Sequence, residues 1–219
     1  MKILAVEFSS EQRSVAIAVD GRVVASASEI ATRATHAFGL IERALGEAKL
    51  EREEIEGIAV GIGPGSYTGI RSALALAQGW QLAAGVKLVG IASVECLAAG
   101  AQAAGWFGVV NVVIDAQRNE FYLARYEVGG SGYREVGELR LVRADEVGLR
   151  ANVGEIIVGP EVTRWFGGGK ILFPEARVLG ELAEGRNNFV SGEKLEPIYL
   201  RETNFVKAPP LRVLPGEKG

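Results

Sequence analysis

The stretch GIGPGSYTGIRSALALAQGW, Gly61 to Trp80, puts three glycines and a proline in its first five residues and then runs apolar for the length of a helix. A glycine-rich turn feeding a helix is one way a chain cradles phosphate, so its reading governs the rest. A P-loop needs G-x-x-x-x-G-K-[ST], because the lysine reaches the outer phosphates and the hydroxyl holds magnesium. Neither element is present. The dinucleotide pattern G-x-G-x-x-G fails too, since Ser66 stands at its third glycine position after Gly61 and Gly63. Ser66 suits an N-cap instead, its oxygen accepting from the first free amides of the helix, with Pro64 and Gly65 setting a sharp entry. The residues read as a helix-starting turn. An anion resting on that N-terminus, against Gly63, Gly65 and Ser66, stays open as a second reading.

The helix itself carries no charge between Arg71 and Lys87. Gly69, Ala73 and Ala77 make one stripe, Ile70 and Leu74 a second, Leu76 and Trp80 a third. A helix apolar all round is covered all round. One side can rest on its own sheet; the other must meet a second lobe, a neighbouring helix or another chain. Working outward, "GIAVGI" before it and "VKLVGI" after it read as short strands, and "SVECLAAGAQAAG" as a further helix. Upstream, "ILAVEF", "SVAIAV" and "RVVASAS" read as strands, the last two joined by the two-residue turn Asp20-Gly21. Between them and "GIAVGI", Thr35 to Leu50 is an amphipathic helix, with Ala37, Ile41, Ala44 and Ala48 on one face and Glu42, Arg43 and Glu47 on the other.

A second unit starts near Gly108: strands "VVNVVID", "EFYLARYEV" and "YREVGELRLV", the last two separated by the turn "GGSG", then a strand "EIIVG" and a helix "EARVLGELAEG" that Gly185 can end. "FGGGK" reads as another turn. Both halves open with hairpin-connected strands before helices, an α/β architecture of two lobes, 1–107 and 108–205. The proline- and glycine-rich end, 206–219, reads as a flexible tail.

The 219 residues are 48% hydrophobic and 23% charged, as in ordinary globular proteins. A formal charge of −3 argues against a protein that grips nucleic acid alone, because counterion release needs concentrated Lys and Arg. The single cysteine, Cys96, excludes an internal disulfide framework and reads as a small buried hydrophobe, which fits a cytoplasmic protein. Glu7 interrupts the first apolar run, so no secretory signal is visible, and no stretch has the ~18 apolar residues that span a bilayer. His36 is the only histidine, so no histidine pair can hold a metal; a carboxylate-only magnesium site stays open. His36 reads as a polar residue in the first turn of its helix or as a contact at a partner surface, and no nucleophile is fixed beside it.

The Gly61–Gly79 segment, the opening "MKILAVEFSSEQRSVAIAVDG", Thr35-His36, "VVIDAQRNEFYLARY" and "PIYLR" resemble, in family order, the TsaB (YeaZ) family. That family supplies the bacterial accessory subunit that pairs with TsaD in making threonylcarbamoyladenosine on tRNA. The resemblance implies the actin-like ATPase fold shared by sugar kinases, Hsp70 and actin, with two related lobes, each a mixed sheet with packed helices. It implies no catalytic residue. Ser93 and Leu97 stand where catalytic relatives carry two metal-binding histidines, and "DAQRNE", Asp115 to Glu120, replaces their second glycine turn. Asp115 and Arg118 then form a surface ion pair or a polar contact with a partner or ligand. Glu7 and Phe8 depart from the family's usual aspartate and threonine.

The resemblance further implies a partner interface on two helices, Thr35 to Lys49 and Ser66 to Ala84. It would comprise His36, Leu40, Arg43, Ser66, Gly69, Ile70, Ala73, Ala77 and Trp80, packed on the same helices of TsaD. A homodimer through that surface, an assembly that includes the ATPase TsaE and tRNA, and a nucleotide at the joint with TsaD rather than an intrinsic cofactor belong to the same expectation. Its rivals are an independent ATP-dependent kinase, opposed by the missing second glycine turn, a metallopeptidase-like enzyme, opposed by the missing histidine pair, and a self-associating scaffold.

Overall fold

The computed structural model describes residues 1–30 and 36–200; Thr35, Arg201 and the expected tail 206–219 lie outside the described residues. Strands β1 (Lys2–Glu7), β2 (Gln12–Val19) and β3 (Arg22–Ile30) form an antiparallel meander. Its second turn is the expected one, Asp20 and Gly21 both having positive φ, 47° and 74°. Then come α1 (Ala37–Ala48), β4 (Gly57–Gly61), α2 (Tyr67–Ala84), β5 (Lys87–Ile91) and α3 (Ser93–Ala103). The sheet order is β3-β2-β1-β4-β5, with β4 parallel to β1 and β5 parallel to β4.

β1 is apolar at successive positions because both faces of its sheet are covered. Leu4, Val6 and Ile17 point into a core closed by Leu40 and Ile41 of α1 and by Ile70, Ala73 and Ala77 of α2. Ile3, Ala5, Ala16 and Ala18 point the other way, into a second core.

The second lobe contains β6 (Gly108–Asp115), β7 (Glu120–Gly129), β8 (Gly132–Arg143), α4 (Ala144–Asn152), β9 (Ile156–Gly159) and β10 (Lys170–Ile171), followed by α5 (Ala176–Glu184). Its sheet, read β8-β7-β6-β9-β10, repeats the first sheet in order and in strand direction. The α/β architecture of two mixed sheets with helices is therefore as expected. Helix α4 is not legible in the sequence because it buries only Val147 and so shows no apolar stripe.

α5 falls within 108–205 but lies on the first sheet: Ala176, Leu179 and Ala183 share a core with Ala5, Ala16 and Ala18. The small alanines of β1 and β2 let this helix approach closely. α3 is shared by the two sheets, sending Cys96 to the core under β1 and Leu97 and Ala101 to the core of the second sheet. Burial pushes the Cys96 thiol well up from its ordinary value. Among the described residues no helix is long and apolar enough to cross a membrane.

Candidate functional site

β1, β4 and β5 run parallel, so their C-terminal ends lie together and the β1–β2 corner, the β4–α2 loop and the start of α3 meet at one end of the sheet. Glu7, the last residue of β1, is fully buried at their junction. Its Oε1 accepts from the Ser9 amide at 2.7 Å, and its Oε2 accepts from the Ser93 hydroxyl at 3.0 Å. Burial pushes its carboxyl up from the ordinary value, against the pull of the Ser9 and Ser93 hydrogen bonds and of Arg13. The Ser93 amide donates to the Gly63 carbonyl and the Ser66 amide to the Ser9 carbonyl, both at 2.7 Å, tying the three segments together. Arg13, buried at the start of β2, donates from Nη2 to the Ser66 hydroxyl at 3.0 Å.

The glycines of the quoted loop are needed by this packing. A Cβ on Gly65 would lie 2.2 Å from the Ser9 carbonyl oxygen, and one on Gly69 would lie 2.0 Å from that of Phe8. On Gly61 it would meet the Glu7 carboxylate, and on Gly63 the Ile70 side chain. Ser66 caps α2 as expected, its hydroxyl accepting from the Gly69 amide at 3.3 Å. Close packing against Ser9, Phe8 and Ile70, with the Glu7 carboxylate against Gly61, thus accounts for the glycines of this loop.

The same close approach decides which way α2 faces. Gly69, Ile70, Ala73 and Ala77, expected at the partner surface, are interior, and so is Leu40 on α1. Gly69 must turn inward because only a residue without Cβ can pass over Phe8 and Arg13, and Ala73 and Ala77 follow at one-turn spacing. The small residues that look outward are instead Ala75, Gly79 and Ala83. Phe38 of α1 and Leu82 of α2 are exposed at 68% and 90% on helices of one sheet face, while Tyr67, 56% exposed, has its ring stacked on Tyr199 and against the Arg71 guanidinium. Of the other expected contacts, Arg43 and His36 are exposed, Ser66 is half-buried at its cap, and Trp80 is half-buried against the first core. The His36 amide donates to Glu29 Oε1 at 2.9 Å, and its ring nitrogen lies 3.4 Å from Oε2.

Elsewhere Ser93 and Leu97 are both fully buried, the first bonded to Glu7 and the second packed in the core of the second sheet. Asp115 does not pair with Arg118. Its carboxylate accepts from the backbone and side-chain nitrogens of Gln117, at 2.8 and 3.0 Å. Among the described residues no three His, Cys, Asp or Glu side chains gather into a set that could hold a metal ion. The Glu7–Arg13–Ser93 network escaped sequence reasoning, although a charged residue ending an apolar strand was the signal that could have found it.

A family model described as TsaD, tRNA N6-adenosine threonylcarbamoyltransferase, matches residues 26–203. The chain is 29% identical to the tRNA threonylcarbamoyladenosine biosynthesis protein TsaB of Escherichia coli K12, over 92% of this chain and 95% of that one. The structure of YeaZ from Pseudomonas aeruginosa superposes with a TM-score of 0.77 at 26% identity, covering 91% of this chain and 99% of that one. The activator of 2-hydroxyisocaproyl-CoA dehydratase from Clostridium difficile, with bound ADPNP, has a TM-score of 0.50 at 12% identity over 89% and 96% of the two chains; that likeness is one of fold alone.

Proposed function

Since the chain belongs to the TsaD-type threonylcarbamoyltransferase family, and within it to the TsaB/YeaZ members that serve tRNA threonylcarbamoyladenosine biosynthesis, we propose that it is the non-catalytic subunit that binds and activates TsaD. The observation that carries this reading is the outer face of α1 and α2, where Phe38 and Leu82 stand exposed and the outward stripe is small. In the proposed complex these side chains would be covered by the second chain. The small residues Ala75 and Gly79 let a partner helix come close; nothing lies within 4 Å of where a Gly79 Cβ would be. A nucleotide used by the assembly would sit at the joint with TsaD. TsaE and tRNA would join through the complex. In the absence of TsaD the same face would pair with a second copy.

The test is co-elution with TsaD from the same organism on gel filtration. Ala75→Glu and Gly79→Glu put a carboxylate on the outer face without touching the core, and each should weaken the complex at least about tenfold. Arg118→Glu, on the second lobe, serves as the control. Undiminished association of both α2 variants would refute the surface.

A further inference from the structure

The two sheets repeat one another, and β3 and β8 occupy the same place in them, each the outermost strand of an antiparallel meander. An outermost strand leaves a row of N–H and C=O groups that another strand can pair with, and chains ordinarily guard it with charge or with irregular pairing. β8 is guarded in both ways. Arg134, Glu135, Glu138, Arg140 and Arg143 stand exposed along it, and its pairing with β7 shifts register twice. β3 is not guarded. From Val23 to Ser28 it carries no charge and no proline, and its one irregularity is the extra residue Val24. Among the described residues its backbone pairs with β2 and with no other backbone.

Ala25 and Ala27 point into the core under α1, while Ser26 and Ser28 are exposed on the other face, so short side chains border the open edge. Val24 beside them is 48% exposed. The charges of the strand lie at its two ends and have opposite sign: Arg22 is exposed, and Glu29 is half-buried where it accepts from the His36 amide. Their positions are symmetric. Arg22, Ser26 and Glu29 pair across β2 with Val19, Ala16 and Arg13, so each charge stands three β2 positions from Ser26, and both lie on the face that Ala25 and Ala27 share. Laid antiparallel on a second copy, about a two-fold axis at Ser26, β3 sets each Arg22 opposite the partner's Glu29. A parallel arrangement would set like charges side by side.

We propose that the β3 edge binds the β3 edge of a second copy of this chain, joining two five-stranded sheets into one continuous sheet. The contact is separate from the outer face of α1 and α2, so it leaves that face free and would couple two complexes with TsaD. The test is sedimentation equilibrium of the full chain carrying Gly79→Glu, which closes the α2 face to self-association. Over about 10 to 500 µM it should dimerise with Kd on the order of 100 µM, because one strand pair buries less than the ~1,200 Å² of a standard interface. In that background Ser26→Lys sets two ammonium groups across the axis and Arg22→Glu sets carboxylates together at both ends. Each should weaken self-association at least about tenfold, with thermal midpoints near that of the parent. Arg22→Glu and Glu29→Arg chains, each monomeric alone, should dimerise when mixed, since the mixture restores both ion pairs crosswise. Ser26→Lys decides the matter if Glu29→Arg, which gives up the His36 amide, does not fold. Co-elution of Arg22→Glu with TsaD should be undiminished, which separates this contact from the proposed partner surface. A Gly79→Glu chain that stays monomeric throughout overturns the proposal and leaves the edge to a strand of another protein. So does self-association that neither Ser26→Lys nor Arg22→Glu moves, or a mixture that stays monomeric with both chains folded.

Discussion

The corner between β1 and β2 and the corner between β6 and β7 occupy the same place in two sheets of identical order, and each begins with a carboxylate that accepts the amide two residues on. Glu7 takes the Ser9 amide at 2.7 Å and Asp115 takes that of Gln117 at 2.8 Å. There the likeness ends. The glycine loop folds over the first corner and buries it, so the turn hydrogen bond becomes part of a sealed network with Ser93 and Arg13 nearby. The second corner has no such cover. Gln117, Arg118 and Asn119 are exposed, and all three sit in the left-handed region, with φ of 65°, 59° and 61°. One topology thus carries a closed corner and an open one, and what separates them is whether a neighbouring loop has the glycines to approach.

Removing that permission should have the largest effect. Gly65→Ala puts a methyl 2.2 Å from the Ser9 carbonyl oxygen at a φ of +150°, so it should cost about 3 kcal/mol or more of stability, or prevent folding. Denaturant unfolding, or soluble yield if none folds, measures it; a loss under about 1 kcal/mol would mean the closed corner is not held by close packing.

An intermediate effect should come from Glu7→Gln, read against pH. Because burial raises the carboxyl pKa, the folded chain holds this proton more tightly than the unfolded chain. Glu7 therefore favours folding most below the ordinary value of about 4.3, and that contribution is lost as pH rises through the folded value. The stability of Glu7→Gln relative to the parent should rise with pH above about 4.3. A difference that stays flat, or falls, contradicts the sealed carboxyl.

The smallest change is expected at the open corner. Arg118→Gly relieves one left-handed residue but loosens the unfolded chain, leaving a net gain of about 0.5–1 kcal/mol. A loss would show that the Arg118 side chain is doing something the exposed turn conceals.

Much of this was legible in the residues because it is local. The Asp20-Gly21 hairpin follows from the positive φ both positions adopt, the Ser66 cap from a hydroxyl within reach of the Gly69 amide, and the order of strands and helices from runs of period two and 3.6. The inward and outward faces of α2 were not legible. That helix is apolar or small all round, so periodicity gives no sign, and the stripe Gly69, Ala73, Ala77 looks as fit for a partner as for a core. α4 was missed for the opposite reason, having one buried residue and nothing to repeat. The destination of α5 could not be seen because nothing in its nine residues says which sheet it covers.

By itself, then, the sequence determined the elements, the caps and turns between them, and the lack of the glycine and histidine patterns that phosphate or metal chemistry would need, since each depends on neighbours a few residues apart. Only the tertiary structure decided that the glycines admit Ser9 and Phe8, that Glu7 is sealed beneath them, and that Ala75 and Gly79 face out in place of Ala73 and Ala77. Those outcomes depend on which surfaces, far apart along the chain, exclude each other when brought within an atom's width, and steric exclusion of that kind leaves no periodic trace in the order of residues.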